Sequence, residues 1–311
     1  MRKPTARSAT RRLFLARTAR LGAAGLAAAC RSAHAAETPG WQIGCYTRPW
    51  DRHDYRVALD QIAEAGYKHA GLMTTKSKTR LVISAATSPE EAQRIGEAAR
   101  QRGLGIPSVY GGGIPVATSL EAGIEALRWL VANCAAAKAA NLLMGGIGKP
   151  ELYDRYYKAI AECCPYAQEQ GVGISVKPHG GLNATGAQCR KAVERVGHPN
   201  FRVWYDPGNI LYYSDGRRDP AAEAAAVDGL VVGMCVKDFK PPKDVWVTPG
   251  DGEVDFAALL ARLREGGFRG GPLVVECVER GDLAKTLAEA KKARRLLERL
   301  VGRPGEAQEG E

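Results

Sequence analysis

Short apolar runs alternate with longer amphipathic segments along most of this chain. Runs rich in Val, Ile, Leu and Tyr stand at 42–46, 69–73, 105–110, 141–145, 172–177, 201–205, 230–236 and 272–276. Their length and content predict buried strands. Segments with helical periodicity lie between and after them, at 54–66, 88–103, 119–138, 151–170, 184–196, 219–228, 255–266 and 282–300. Eight strands, each followed by a helix, predict a single (β/α)8 barrel over residues 36–301. An open doubly wound sheet is the rival, but no G-x-G-x-x-G opens the first helix.

Local signals support these boundaries. Ser88-Pro89-Glu90-Glu91 reads as a helix start, with Ser88 as cap, Pro89 in the first turn and Glu91 completing a capping box. Gly66, Gly103 and Gly171 each follow a helical segment, where a left-handed residue ends it. The glycine pairs at 266–267 and 270–271 precede the last strand and read as turns. Glycines 111–113 and 145–146 follow strands, either to leave room for a ligand or to make tight turns.

Four late strands end in polar clusters: Lys177-Pro178-His179, Asp206-Pro207-Gly208-Asn209, Lys237-Asp238, and Glu276. Strand C-termini of a parallel barrel meet on one face, so these residues converge there. Lys177, His179 and Glu276 are the candidate catalytic groups. Asn209, Lys237 and Asp238 are candidate substrate contacts, with Tyr46 and Trp50 after the first strand as candidates to stack on a bound ring. Each has a plainer alternative: a structural ion pair for Lys177, a turn for Asp206, a solvated pair for Lys237 and Asp238, loop packing for the aromatics.

The N-terminus reads as an export signal over residues 1–35. Arg11-Arg12 opens a twin-arginine pattern, an apolar stretch runs from Leu21 to Ala29, and Ala33-His34-Ala35 offers a cleavage site. The apolar stretch is too short to span a membrane. Ala27-Ala28-Ala29-Cys30 weakly resembles a lipoprotein site, which makes lipid anchoring the lesser alternative to a free periplasmic protein. The signal carries eight of the 44 basic residues and none of the 34 acidic ones, so the net charge falls from +10 to +2 on its removal. The basic balance is therefore no argument for nucleic-acid binding. Seven cysteines remain, an odd number in mostly apolar contexts, as expected of buried thiols rather than a disulfide framework. The polar residues at 302–311 read as a disordered tail.

The C-terminal half resembles the sugar-phosphate isomerase/epimerase superfamily, the xylose-isomerase-like TIM barrels. The matching text is Tyr205-Asp206-Pro207-Gly208-Asn209, Val236-Lys237-Asp238, Pro249-Gly250-Asp251-Gly252-Glu253-Val254-Asp255-Phe256, and Gly270-Gly271-Pro272-Leu273-Val274-Val275-Glu276. The resemblance implies one divalent metal held by Glu, Asp, His and Glu from four late strands. Asp206 and Glu276 match two of these positions; Lys177 and Cys235 stand at the other two. A lysine ammonium repels a cation, and a thiol is a poor ligand for Mg²⁺ or Mn²⁺.

Three readings follow. In one, Lys177 replaces the metal and the site is metal-free. In another, His179, Asp206 and Glu276 hold a shifted metal (Mn, Mg, Co or Zn), with Cys235 as a soft fourth ligand favouring zinc. In the third, the barrel binds sugar without turnover. Under the first, an exported isomerase, epimerase or lyase removes a proton next to the carbonyl of a sugar or keto-sugar. Positive charge from Lys177 stabilises the enolate, and Glu276 and His179 are the candidate bases. Neighbouring carboxylates would raise the lysine pKa, against a Schiff-base role. Export, and the lack of a clear phosphate cradle, argue against a sugar phosphate. The expected partners are a small sugar and the twin-arginine export machinery.

Overall fold

The computed structural model of the protein describes residues 40–302. The expected signal at 1–35, with the cleavage site and Cys30, lies outside the described residues, as does the tail beyond Gly302.

Eight parallel strands form the barrel: β1 (Trp41–Tyr46), β2 (His69–Gly71), β3 (Val109–Gly112), β4 (Asn141–Met144), β5 (Gly173–Val176), β6 (Phe201–Tyr205), β7 (Val231–Val236) and β8 (Gly271–Val275). Their order is β2-β1-β8-β7-β6-β5-β4-β3. Single parallel bridges, His69 to Gly105 and Leu72 to Val109, join the two ends and nearly close the ring. The helices are α1 (Tyr55–Glu64), α2 (Pro89–Arg100), α3 (Leu120–Ala137), α4 (Tyr153–Glu169), α5 (Gly186–Val196), α6 (Pro207–Tyr213), α7 (Pro220–Ala224), α8 (Phe256–Glu265) and α9 (Leu283–Val301).

Two elements depart from the sequence reading. The third strand begins at Val109 rather than 105, and the stretch before it makes only isolated bridges. Pro107 has no N–H to give to a ladder. Helix α6 falls outside the predicted helical segments, and a turn is the plainer alternative given for Asp206. In the structure Pro207 opens the helix and Asp206 caps it, its Oδ1 accepting from the Asn209 N–H at 3.0 Å. At α2 the Ser88 side chain accepts from the Glu91 N–H as expected, but the complete capping box among the described residues is Thr185–Gln188 on α5.

The main core packs the outer faces of the strands against the helices. Tyr46, Met73, Leu143, Trp204, Cys235 and Val274 fill a second layer inside the barrel. The seven cysteines from Cys45 to Cys277 are buried and unpaired. No helix among the described residues is long and apolar enough to cross a membrane.

Candidate active site

Strands β5, β6, β7 and β8 end at Val176, Tyr205, Val236 and Val275. The next residue of each is charged: Lys177, Asp206, Lys237 and Glu276. Parallel register does the rest. Val176 lies opposite Val203, Tyr205 opposite Met234, and Val236 opposite Val275. Lys237 and Glu276 therefore stand level, the ends of β5 and β6 are each staggered by two residues from the next strand, and all four side chains are buried at the C-terminal end of the barrel.

Lys177 Nζ donates to Asp206 Oδ2 at 3.0 Å, to Glu276 Oε2 at 2.6 Å and to Cys235 Sγ at 3.7 Å. Lys237 Nζ donates to Asp206 Oδ2 at 3.2 Å and to Asn209 Oδ1 at 3.0 Å, and lies 2.6 Å from Glu276 Oε1. An ammonium has three donors: Lys177 spends all three, while Lys237 spends two and adds an ion-pair contact to Glu276. Arg48, two residues beyond β1, adds a third cation, 2.8 Å from Glu276 Oε1. It reaches Glu276 because β1 pairs with β8, Cys45 opposite Val275. The cluster thus carries three cations against two carboxylates.

Burial would raise the pKa of Glu276, but Lys177, Lys237 and Arg48 outweigh it and hold the carboxyl well below its usual range. Burial would likewise lower Lys177; Cys235, Glu276 and Asp206 prevail and hold the ammonium well above its usual pKa. Burial pushes the Cys235 thiol up, so the carboxylates are the groups that carry this effect. Glu276 is thus a poor proton carrier near neutrality, and Lys177 is a fixed positive charge rather than a Schiff-base amine.

His179 stands above the cluster, half-buried in the loop after β5. Its backbone N–H bonds to Asn183 O at 3.0 Å, and the Asn183 side chain is locked to the Tyr157 hydroxyl of α4. Burial, then Lys177 and Lys237, push the imidazole pKa down to about 4. The ring faces Tyr110 and Tyr213, with centroids 6.5 and 5.8 Å away. A Cβ on Gly145 would lie 2.9 Å from the Tyr110 hydroxyl, so glycine keeps this space open. Burial raises the pKa of both tyrosines, which remain hydrogen-bond donors.

The remaining sequence candidates lie elsewhere or act differently. Tyr46 is buried inside the barrel, its hydroxyl 3.2 Å from Ser108 Oγ, and Trp50 is buried in the core. Neither offers a face to a sugar, which corrects their reading as stacking groups. Asn209 is buried and fixes Lys237 and the Pro178 carbonyl. Asp238 accepts from the backbone N–H groups of Phe239, Gly250, Gly252 and Val254. It organises the loop after β7 instead of meeting substrate. His179 is not grouped with the metal-type ligands; among the described residues that set is Asp206, Cys235 and Glu276. Arg48, Tyr110, Tyr213 and Trp246 at the mouth were missed by the sequence reading, since nothing local in the sequence marks them.

A cavity of about 590 Å³ opens at the opposite end of the barrel, between strand-start residues such as Gln42, Asn141, Gly173 and Arg202. It is lined by no carboxylate, histidine or cysteine. The titratable groups are gathered at the C-terminal end, where barrel chemistry is expected.

The family described as the xylose isomerase-like TIM barrel matches residues 59–300. The chain belongs to that family. No curated protein matches it. Among solved structures, the xylose isomerase domain protein from Planctomyces limnophilus aligns with TM-score 0.66 and 18% identity, over 84% of this chain and 98% of that one. A D-allulose 3-epimerase from Methylomonas sp. gives 0.64 and 15%, over 84% and 98%. The probable 3-DHS dehydratase involved in petrobactin synthesis from Bacillus anthracis gives 0.62 and 13%, over 82% and 98%. At these identities the likeness establishes the shared fold.

Within this xylose isomerase-like barrel, ligand atoms of Asp206, Cys235 and Glu276 lie within 4.8 Å of one another, a spacing that could hold a metal ion. The Lys177 ammonium, however, touches all three. With that charge in place the donor set does not fit a divalent cation.

Proposed function

We propose that the protein is an exported, periplasmic enzyme that isomerises, epimerises or eliminates across a sugar or keto-sugar, starting with loss of a proton next to a carbonyl. The observation that carries this reading is the Lys177 ammonium held among Asp206, Cys235 and Glu276. It places fixed positive charge at the level where the family resemblance implies a metal. His179, neutral at physiological pH though weakened as a base by burial and the two lysines, is the group placed to accept the substrate proton, and the cationic cluster below stabilises the enolate oxygen as charge develops. Tyr110 and Tyr213 donate to substrate hydroxyls and flank the imidazole. Asp206 and Glu276 hold the lysines and transfer no proton.

The test is solvent exchange. The mature protein is incubated with a panel of ketoses and keto-sugars in D₂O, with and without a chelator, and proton loss beside the carbonyl is followed by NMR. Exchange that survives chelation and drops by about a hundredfold or more in His179→Asn supports the reading. Exchange that stops on chelation removes the metal-free mechanism.

A second reading is a sugar-binding barrel without turnover. Its supporting observation is that both lysines are buried and engaged with protein groups, Lys177 through all three of its donors. Saturable sugar binding with no exchange on any panel member would establish it over the first.

A further inference from the structure

Arg48 is the cation of the cluster with the most donors to spare. Its guanidinium has five N–H groups. Among the described residues it makes one side-chain bond, from Nη1 to Glu276 Oε1 at 2.8 Å. Its side chain remains 26% exposed, whereas Lys177 and Lys237 are sealed at 1% and 2%. The guanidinium lies 5.1 Å from the ring of Trp246 in the loop after β7. Stacking on a ring face leaves a guanidinium's edge free to meet a planar acceptor. The neighbouring charges at this rim have partners away from the cluster. Arg280 also packs on Trp246 and pairs with Asp51 at 3.3 Å, while Glu279 pairs with Lys285. Asp238 is spent on four backbone N–H groups. Arg48 and Lys177 both contact Glu276, Lys177 Nζ lies 5.8 Å from the Tyr110 ring centroid, and Tyr110 neighbours His179.

We infer that the substrate is an acidic sugar whose carboxylate docks in-plane on Arg48 and neutralises the one unbalanced charge of the cluster. This rests on the sugar reading above and narrows its substrate class. The pairing is two parallel N–H···O bonds to a group of single charge. A carboxylate satisfies that with one free guanidinium. A phosphate carries nearly twice the charge and three acceptor oxygens, more than the free edge of one guanidinium matches.

The experiment is calorimetric titration of the mature protein with D-glucuronate and D-galacturonate, against D-glucose, D-galactose and a glucose monophosphate. The same series is run on Arg48→Gln and Arg48→Lys. The parent should bind at least one uronate about tenfold or more tighter than its neutral counterpart, and lose affinity as salt is added. Arg48→Gln should abolish that preference. Arg48→Lys keeps a charge beside Glu276 but lacks the fork, so it should retain only part, and it supplies the test if Arg48→Gln does not fold. Equal binding of acid and neutral sugar, a preference untouched in Arg48→Gln, or no uronate binding in the millimolar range each overturns the inference. Tighter binding of the monophosphate overturns the carboxylate assignment. Turnover of neutral sugars in D₂O would leave the sugar reading standing while removing the acid. Neither binding nor exchange with any sugar would remove both.

Discussion

The Lys177 ammonium lies 2.6 Å from Glu276 Oε2, although the two residues are 99 positions apart in the chain. Each is the first residue past the end of its strand, so the barrel itself makes the contact. Because Arg48 and Lys237 also face Glu276, this carboxylate is the centre of the cluster's charge balance.

That balance predicts unequal costs. Glu276→Gln leaves three buried or half-buried cations with one carboxylate, and should destabilise by about 3–5 kcal/mol, as removal of one partner of a buried pair does. Lys177→Met leaves two cations with two carboxylates and should cost clearly less. The double variant should be more stable than Glu276→Gln alone. Urea unfolding of the three proteins measures this; additive losses would contradict the charge count.

His179 gives a pH signature. Its pKa is pushed from 6.5 to about 4 in the folded protein. Between these values the unfolded chain binds the proton and the native state does not, so stability rises with pH across that window. As pH falls through it, up to about 3 kcal/mol is lost, complete below the folded value. The parent should lose stability more steeply than His179→Asn from pH 6.5 to 4. Parallel curves from thermal or urea unfolding would contradict the placement of the ring.

Gly208 tests how tightly the lysine is cradled. A Cβ there would lie 2.6 Å from Lys237 Cγ, 2.8 Å from Lys237 O and 2.9 Å from Asp238 O. On an exposed helix, Gly→Ala gains up to about 1 kcal/mol. Here two of the three contacts are backbone oxygens, so Gly208→Ala should destabilise by about 1–3 kcal/mol. A rise in melting temperature would show that the strand-end backbone yields.

The barrel was legible because hydrophobic runs and capping signals recur at regular spacing, and the strand-end register followed from it. Lys177, Asp206, Lys237 and Glu276 could be placed together since each follows its strand directly. Arg48 could not, because its partner Glu276 is 228 residues away and lies on the strand that closes against β1. Tyr46 and Trp50 misled because an aromatic at or just past a strand end has the same local sequence whether it is buried in the fold or faces the mouth. Asp238 misled because its four backbone partners belong to a loop whose path the sequence does not reveal. Asp206 was read as either a turn former or a site residue; it is a helix cap that also holds both lysines.

Lys177 is proposed to occupy the place of a divalent metal, and calorimetry with Mn²⁺ shows whether it does. An ammonium beside a dication at contact distance is repelled by several kcal/mol even at an effective dielectric of about 20. The parent should therefore bind Mn²⁺ weakly or not at all. Lys177→Glu should bind measurably, and Cys235→His added to it should bind more tightly still, since imidazole suits such metals better than a protonated thiol. Tight one-to-one binding by the parent, left unimproved by Lys177→Glu, would contradict the claim.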